Sequence, residues 1–434
     1  MKKVFFILLL LLSMSVFAKT KTFIREYSYQ ASDYDSKVTA RVNALEEVKR
    51  LLLEEVAVFI KSEFEMSEWE KQIGAEIESG ESTEKRLISI TAGITQTEIL
   101  EEKWTGIEYW LKAKITIDPD EMKKQMDLIL QDREKTEELE KTRKMADDAR
   151  KEIQQLKQKL ASVKNENEQI VLQNEYKKNV DQLDATDWFN KGYIAVLLEE
   201  YDKAKSFFIR AIELNPEYAD AYNNLGCVYD DQKNYAAAIK CYNKAIEFNP
   251  DDSKAYFNLG VVYGKQENYA DAIKYYNRAV EINPDFSGAY NNLGNVYADQ
   301  ENYSEAIKNY NKAIGLNPEL SVACFNLGNL YKKQGKFLDA IESYKEAIKL
   351  NPDYSNAYTN LGLVYSLQRR YSDAINSCKK AIEINPNDSE AYYFLGLTHN
   401  LQGNSSDGIK YFQKSARLGN LEAQNELREL GEDW

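Results

Sequence analysis

SKAYFNLGVVYGKQENYADAIKYYNRAVEINPDF, residues 253–286, is one of seven copies of a single 34-residue pattern. Its proline, Pro284, has counterparts at Pro216, Pro250, Pro318, Pro352 and Pro386, each 34 residues from the next. Proline lacks the N–H of a helix interior and its ring clashes with the preceding turn, so each one closes a structural unit. Self-similarity at this period predicts a mainly α fold, a solenoid of helix–turn–helix repeats. It also moves the functional question from catalysis towards binding.

Counting Ala185 as position 1, the repeats run over 185–218, 219–252, 253–286, 287–320, 321–354, 355–388 and 389–418. Residues 419–434 read as a capping helix and tail, which covers the apolar face of the last repeat. Position 8 is glycine throughout: Gly192, Gly226, Gly260, Gly294, Gly328, Gly362 and Gly396. A helical glycine costs about 1 kcal/mol relative to alanine, so the bare backbone must serve close helix approach. Positions 20 and 27 are also small, as at Ala272 and Ala279, while positions 4 and 24 are mostly aromatic, as at Tyr256 and Tyr276. Small facing large is how a core interdigitates without voids. The tyrosines therefore read as packing residues, not as a nucleic-acid stacking platform, and His399 reads as a packing substitute.

In these residues the chain resembles the tetratricopeptide repeat (TPR) family. The resemblance implies a right-handed superhelix whose concave face is lined by the first helix of each repeat, with positions 2, 5, 6, 9, 12 and 13 reaching the groove. Position 6 is asparagine six times running: Asn190, Asn224, Asn258, Asn292, Asn326 and Asn360. A side-chain amide both donates and accepts, so it can pair bidentately with a peptide unit. Stacked one per repeat, these residues are similar to the asparagine ladder of O-linked N-acetylglucosamine transferases, which holds extended peptides by their backbones. The competing reading is that the amides only bridge neighbouring helices. Position 5 adds Phe189, Phe257, Phe325 and Tyr393 beside the track. No lysine or arginine stands at position 5 or 6, which argues against a carboxylate clamp.

Ahead of the repeats, residues 1–18 read as a cleavable secretory signal: Lys2 and Lys3, an apolar run from Val4, and Val16-Phe17-Ala18 at the cleavage site. That run is too short for a spanning helix, and no other segment is a transmembrane candidate. The expected location is extracytoplasmic, periplasmic or secreted. Residues 19–118 read as a small α+β domain. Thr22–Gln30 predicts a strand, Ser36–Phe64 an amphipathic helix carrying Val38, Val42, Leu45, Val48, Leu52, Val56 and Phe59, and Ser67–Glu84 a loop. Arg86–Leu100 contains a β-rich stretch, and Ile107–Ile117 alternates as a strand behind a Trp104-Thr105-Gly106 turn. The order resembles the N-terminal domain of the flagellar assembly protein T family, through Ala40-Arg41-Val42-Asn43-Ala44-Leu45 on the helix and Thr91-Ala92-Gly93-Ile94 on a strand. The resemblance implies an envelope-associated, non-catalytic module.

Residues 119–184 are charged and helical in pattern, opening at Asp118-Pro119 with an N-cap acid and an N1 proline. A heptad seam places Ile153, Leu160 and Asn167 at a, and Leu156, Val163 and Ile170 at d. It predicts either a homodimer through 139–170 or a solvated spacer helix.

The composition narrows the function. A net charge of −14 disfavours nucleic acid as a partner, and one histidine with four cysteines and no CxxC pair disfavours metal or cofactor chemistry. Cys324 and Cys378 read as buried small hydrophobes, and Cys227 and Cys241 share a repeat and could pair. No glycine-rich phosphate loop, GxSxG or HExxH is present. The expected function is an extracytoplasmic, non-catalytic scaffold for an extended segment of a protein or peptide partner. The alternatives are an oligomeric envelope-assembly protein organised by the coiled coil, and the regulatory half of an envelope enzyme.

Overall fold

The computed structural model describes residues 20–31, 35–63, 91, 95, 97–130, 144, 148–149, 151–156, 158–160 and 166–434. The expected signal at 1–18, the 67–84 loop and Val163 lie outside them. The chain divides into two compact units, one ending at Phe248 and the other beginning at Asn249.

The first unit opens with a three-stranded antiparallel sheet. Its strands β1 (Lys21–Gln30), β2 (Thr97–Trp104) and β3 (Glu108–Ile117) lie in the order β1-β3-β2. Helix α1 (Lys37–Glu63) starts where Ser36 Oγ accepts the Thr39 N–H at 3.2 Å. Its stripe at a spacing of four residues, Ala44, Val48, Leu52, Val56 and Ile60, is buried in one core with Leu111, Ala113 and Ile115 of β3. Two details of the sequence reading are corrected. Ile107 is 71% exposed, because the chain turns at Gly106 (φ +103°) before β3 begins. Thr91 is helical, its carbonyl accepting the Thr95 N–H at 3.0 Å, so the strand starts only at Thr97. Residues 92–94 lie outside the described residues.

Helix α2 (Pro119–Leu130) begins at the predicted proline and adds Met122 and Met126 to the same core. The described part of the heptad seam packs within the chain. Ile153, Leu156 and Leu160 are buried in one cluster with Tyr176, Val180 and Leu183 of the same chain. An apolar stripe finds a tethered partner without the translational and rotational loss of association. Ile170, at a d position, is 51% exposed. Helix α3 (Glu166–Leu197) then runs unbroken through the expected boundary at 184/185, so the linker and the first repeat share one rod.

Two polar clusters tie α3 to the N-terminal domain. The Asp35 carboxylate accepts from Tyr29 Oη at 3.0 Å and from Tyr176 Oη at 2.5 Å. Lys49, at 8% exposure, donates to Glu46 and to Asp187, each at 2.9 Å, and Lys191 also reaches Asp187 at 2.9 Å.

The remaining helices alternate as first and second helices of the repeats. In the first unit α4 (Tyr201–Leu214) follows α3, then α5 (Ala219–Asp231) and α6 (Tyr235–Phe248). The second unit holds α7 (Ser253–Lys265), α8 (Tyr269–Ile282), α9 (Ser287–Asp299), α10 (Tyr303–Leu316), α11 (Ser321–Lys333), α12 (Phe337–Leu350), α13 (Ser355–Leu367), α14 (Tyr371–Ile384), α15 (Ser389–Leu401), α16 (Ser405–Arg417) and α17 (Leu421–Leu430). The consecutive helices form the expected solenoid. Ala423 and Leu427 of α17 cover Phe412 and Ala416, whereas Leu430 is 47% exposed.

The turns explain the periodic Asn-Pro pairs. Asn283 takes an extended backbone (φ −122°, ψ 92°), as a residue before proline must, and its Oδ1 accepts the Asp285 N–H at 3.1 Å. The other turn, between the two helices of a repeat, puts position 15 in the left-handed region: Glu199, Lys233, Glu267, Glu301, Gly335, Arg369 and Gly403. A side chain there costs about 1 kcal/mol that glycine avoids. Glu267→Gly is therefore expected to raise the thermal midpoint in a melt followed by circular dichroism. An unchanged or lower midpoint would show that the entropy of the unfolded glycine outweighs the relieved strain.

All four cysteines are thiols, and no disulfide joins Cys227 and Cys241. Cys324 and Cys378 are buried, and His399 stacks on Tyr411 at 5.3 Å, each in a packing role.

Candidate functional site

Residues at positions 6, 9 and 13 are spaced i, i+3 and i+7, so they share one face of each first helix. In the second unit this face carries Asn258, Asn292, Asn326 and Asn360, all half-buried, and in the first unit Asn190 and Asn224, also half-buried. Their amides are tied into the protein. Asn326 donates to Asn291 Oδ1 and to Asn295 Oδ1, both at 3.1 Å on the preceding first helix. Asn291 donates to Asn292 Oδ1 at 3.2 Å, and Asn292 donates to Tyr276 Oη at 3.4 Å. Asn360 donates to the Asn356 carbonyl at 3.1 Å and accepts from Lys332 Nζ. In the first unit Asn224 donates to the Asp220 carbonyl at 2.9 Å.

These bonds change what the ladder can do. Both N–H groups of Asn326 are engaged, so it presents an acceptor oxygen and cannot make the bidentate pairing expected of a free amide. The bridging reading holds between α9 and α11, and Lys332 supplies the bridge between α11 and α13.

The position 5 aromatics belong to the packing. Phe189 is fully buried, its ring tilted against Phe208 at 5.6 Å and Tyr218 at 5.1 Å, so it is a core residue and not a ligand contact. Phe257, Phe325 and Tyr393 stay half-buried. Phe257 lies 4.8 Å from Phe286, Phe325 lies 4.9 Å from Tyr354, and Tyr393 lies 5.7 Å from Phe412. Repeats with an aromatic at position 5 carry one at position 34 when that position is present. Where position 5 is Thr359, position 34 is Asp388, and the hydroxyl donates to it at 2.7 Å.

A second pairing links positions 9 and 24. Tyr310 Oη donates to Asn295 Oδ1 at 2.8 Å, and Tyr344 Oη to Asn329 Oδ1 at 2.7 Å. Burial pushes both phenols above the usual tyrosine range, which keeps them neutral donors. Of the three repeats that lack this hydroxyl, those with Cys378 or Phe412 at position 24 carry Leu363 or Leu397 at position 9, while the first pairs Phe208 with Tyr193. The sequence reading missed Asn295, Asn329 and Lys332. The signal was the joint change of two positions within a repeat, which a search for runs of identical residues does not see.

Among the described residues no cluster of histidine, cysteine, aspartate or glutamate could hold a metal ion, and no helix is long and apolar enough to cross a membrane.

Family models described as tetratricopeptide repeat match residues 188–218, 219–252, 253–286, 275–308, 355–388 and 377–410, and one described as TPR repeat matches 294–335 and 328–368. Together they span half of the chain. Among solved structures, the chain is similar to YrrB, titled a TPR protein with an unusual peptide-binding site, at 26% identity and a TM-score of 0.35, covering 42% of this chain and 95% of that one. It is similar to Pseudomonas aeruginosa pilF at 23% identity and a TM-score of 0.44, covering 49% and 97%. PilW, titled a widely conserved type IV pilus biogenesis factor, is 20% identical with a TM-score of 0.44, covering 48% and 98%. No curated protein matches the chain.

Proposed function

Because the chain belongs to the tetratricopeptide repeat family, we propose that its repeats form a non-catalytic scaffold holding an extended segment of a partner protein along the first-helix face. One observation carries the reading. Half-buried amides recur on this face at one per repeat, locked in place by neighbours while their oxygens keep acceptor capacity, as at Asn326. Such a track accepts backbone N–H groups from an extended chain, whatever its side chains. In the second unit Asn258, Asn292 and Asn360 extend the track, with Phe257, Phe325 and Tyr393 offering half-buried aromatic edges beside it, and in the first unit Asn190 and Asn224 stand at the same position. The proposal includes export by a signal cleaved near Ala18, and action outside the cytoplasm.

The test uses the full chain and peptides selected from a random displayed library. Asn258→Ala with Asn326→Ala is expected to weaken the selected peptides about tenfold or more, the loss of one to two hydrogen bonds with their alignment. Asn309→Ala is the control, since Asn309 donates to the Glu305 carbonyl at 2.8 Å on a second helix. Equal effects from both variants, or none from the first, would sink the reading. Fractionation of cells carrying the tagged chain checks the location.

A further inference from the structure

The first-helix face of the second unit changes chemistry along its length. At positions 6, 9 and 13 it reads Asn292, Asn295, Asp299 and then Asn326, Asn329, Lys333. In the next two repeats it reads Asn360, Leu363, Leu367 and Phe394, Leu397, Leu401. Leu367 and Leu401 are each 53% exposed, and no loss of a position 24 hydroxyl accounts for leucine at position 13.

The change falls at Lys332, position 12 of α11. Its ammonium donates to the neutral Asn360 Oδ1, while the neighbouring Lys333 is the one that pairs with Glu301. Burial pushes its pKa below the ordinary lysine value, and Glu390 only partly offsets that. An ammonium drawn partly out of water, hydrogen-bonded to a neutral acceptor and only partly offset by Glu390, gains strongly from a further anion. Exposed leucines at the same position of successive repeats gain from apolar cover.

Building on the groove reading above, we infer that this end of the face takes a partner segment in which an acidic side chain meets Lys332 and bulky apolar side chains next to it cover Leu367 and Leu401. The face continues on both sides of Lys332, with Asn326 and Asn329 on one side and Leu363 on the other. The segment therefore passes over the lysine, and the carboxylate belongs to an internal side chain, not to a chain terminus.

Peptides selected against the full chain from a random displayed library, then synthesised with blocked termini, test this. The expected peptides are enriched in an acidic residue neighbouring large apolar ones. Lys332→Gln, which keeps a donor towards Asn360, is expected to weaken them about tenfold, the scale of one charge-assisted hydrogen bond. Replacing the peptide's Glu by Gln is expected to give the same loss on the unaltered chain and none on Lys332→Gln. Leu367→Ser with Leu401→Ser is expected to erase the apolar preference and keep the acidic one. Selection of peptides without this pattern, an affinity indifferent to Lys332→Gln, or binding that needs a free C-terminus overturns the inference and leaves the groove reading standing. Selection of no peptide, or of peptides indifferent to the Asn258 and Asn326 changes, overturns the groove reading and this inference with it.

Discussion

Gly294→Ala is expected to lower the thermal midpoint, while Gly315→Ala, which adds the same methyl to the next helix, is expected to raise it. In both helices alanine is the better helix former by about 1 kcal/mol. The surroundings decide the sign. A Cβ on Gly294 would stand 2.5 Å from Tyr310 Cε1 and 2.6 Å from Cδ1, well inside contact distance. That ring is 3% exposed and cannot swing away, because it is enclosed by packing and its hydroxyl is tied to Asn295. Overpacking of this kind costs about 1–3 kcal/mol, which exceeds or cancels the propensity gain. A Cβ on Gly315 meets nothing within 4 Å, and the residue is exposed near the end of α10. Only the propensity gain remains there. Paired melts of the two variants check the contrast, and a midpoint that rises in both would refute the close-approach account of position 8. The displaced Tyr310 ring should also disturb Asn295 and, through it, Asn326, so Gly294→Ala is expected to weaken selected peptides where Gly315→Ala does not.

The same residues show how far the sequence can be read. Position 8 and its position 24 partner, aromatic in every repeat but the one with Cys378, are legible because the same close approach recurs down the array, so periodicity exposes them. The turns are legible for the same reason: the residue before proline must be extended, and asparagine closes that turn by its own side chain. What periodicity hides is who a side chain's partner is. The seam of Ile153, Leu156 and Leu160 has the spacing of a coiled coil, but spacing does not say whether the partner lies in a second chain or at Tyr176, Val180 and Leu183. Asn326 reads as one rung among six, and its two engaged N–H groups follow from Asn291 and Asn295, which stand in a different repeat. Ile107 continues an alternating pattern on paper, yet the turn at Gly106 leaves it in water. In each case the local pattern was correct, and a contact distant in sequence decided the role.

Lys49→Met is expected to loosen the N-terminal domain from α3, at about 3–5 kcal/mol, the range for removing one partner of a buried pair. The Lys49 and Glu46 side chains are each 10% exposed and Asp187 is 24% exposed, so solvent screens the contact weakly. Methionine fills the lysine stem and isolates the charge as the cause. Burial by itself opposes ionisation of Asp187, but Lys49 and Lys191 more than offset it and hold its pKa well below the usual carboxylate range. For Lys49 burial likewise opposes the charge, and Asp187 and Glu46 outweigh it and raise its pKa above the ordinary lysine value. The signs fix the pH window. The Asp187 contribution is present above the unfolded carboxylate pKa of about 3.9 and is lost as pH falls through the lowered folded value. The Lys49 contribution is present below about 10.4 and is lost as pH rises through the raised value. Between these limits the clamp is insensitive to pH. The expected result is a lower melting midpoint for Lys49→Met across that window and faster proteolysis of the linker ahead of α3. On acidification below pH 4 or so the gap between the variant and the unaltered chain should narrow, because protonating Asp187 removes the same interaction. A midpoint unchanged by Lys49→Met at neutral pH would mean that Lys191 alone holds Asp187. Glu46→Gln on the Lys49→Met background is then expected to recover part of the loss, since it removes a buried carboxylate that Lys49 no longer offsets and leaves Asp187 its ion pair with Lys191.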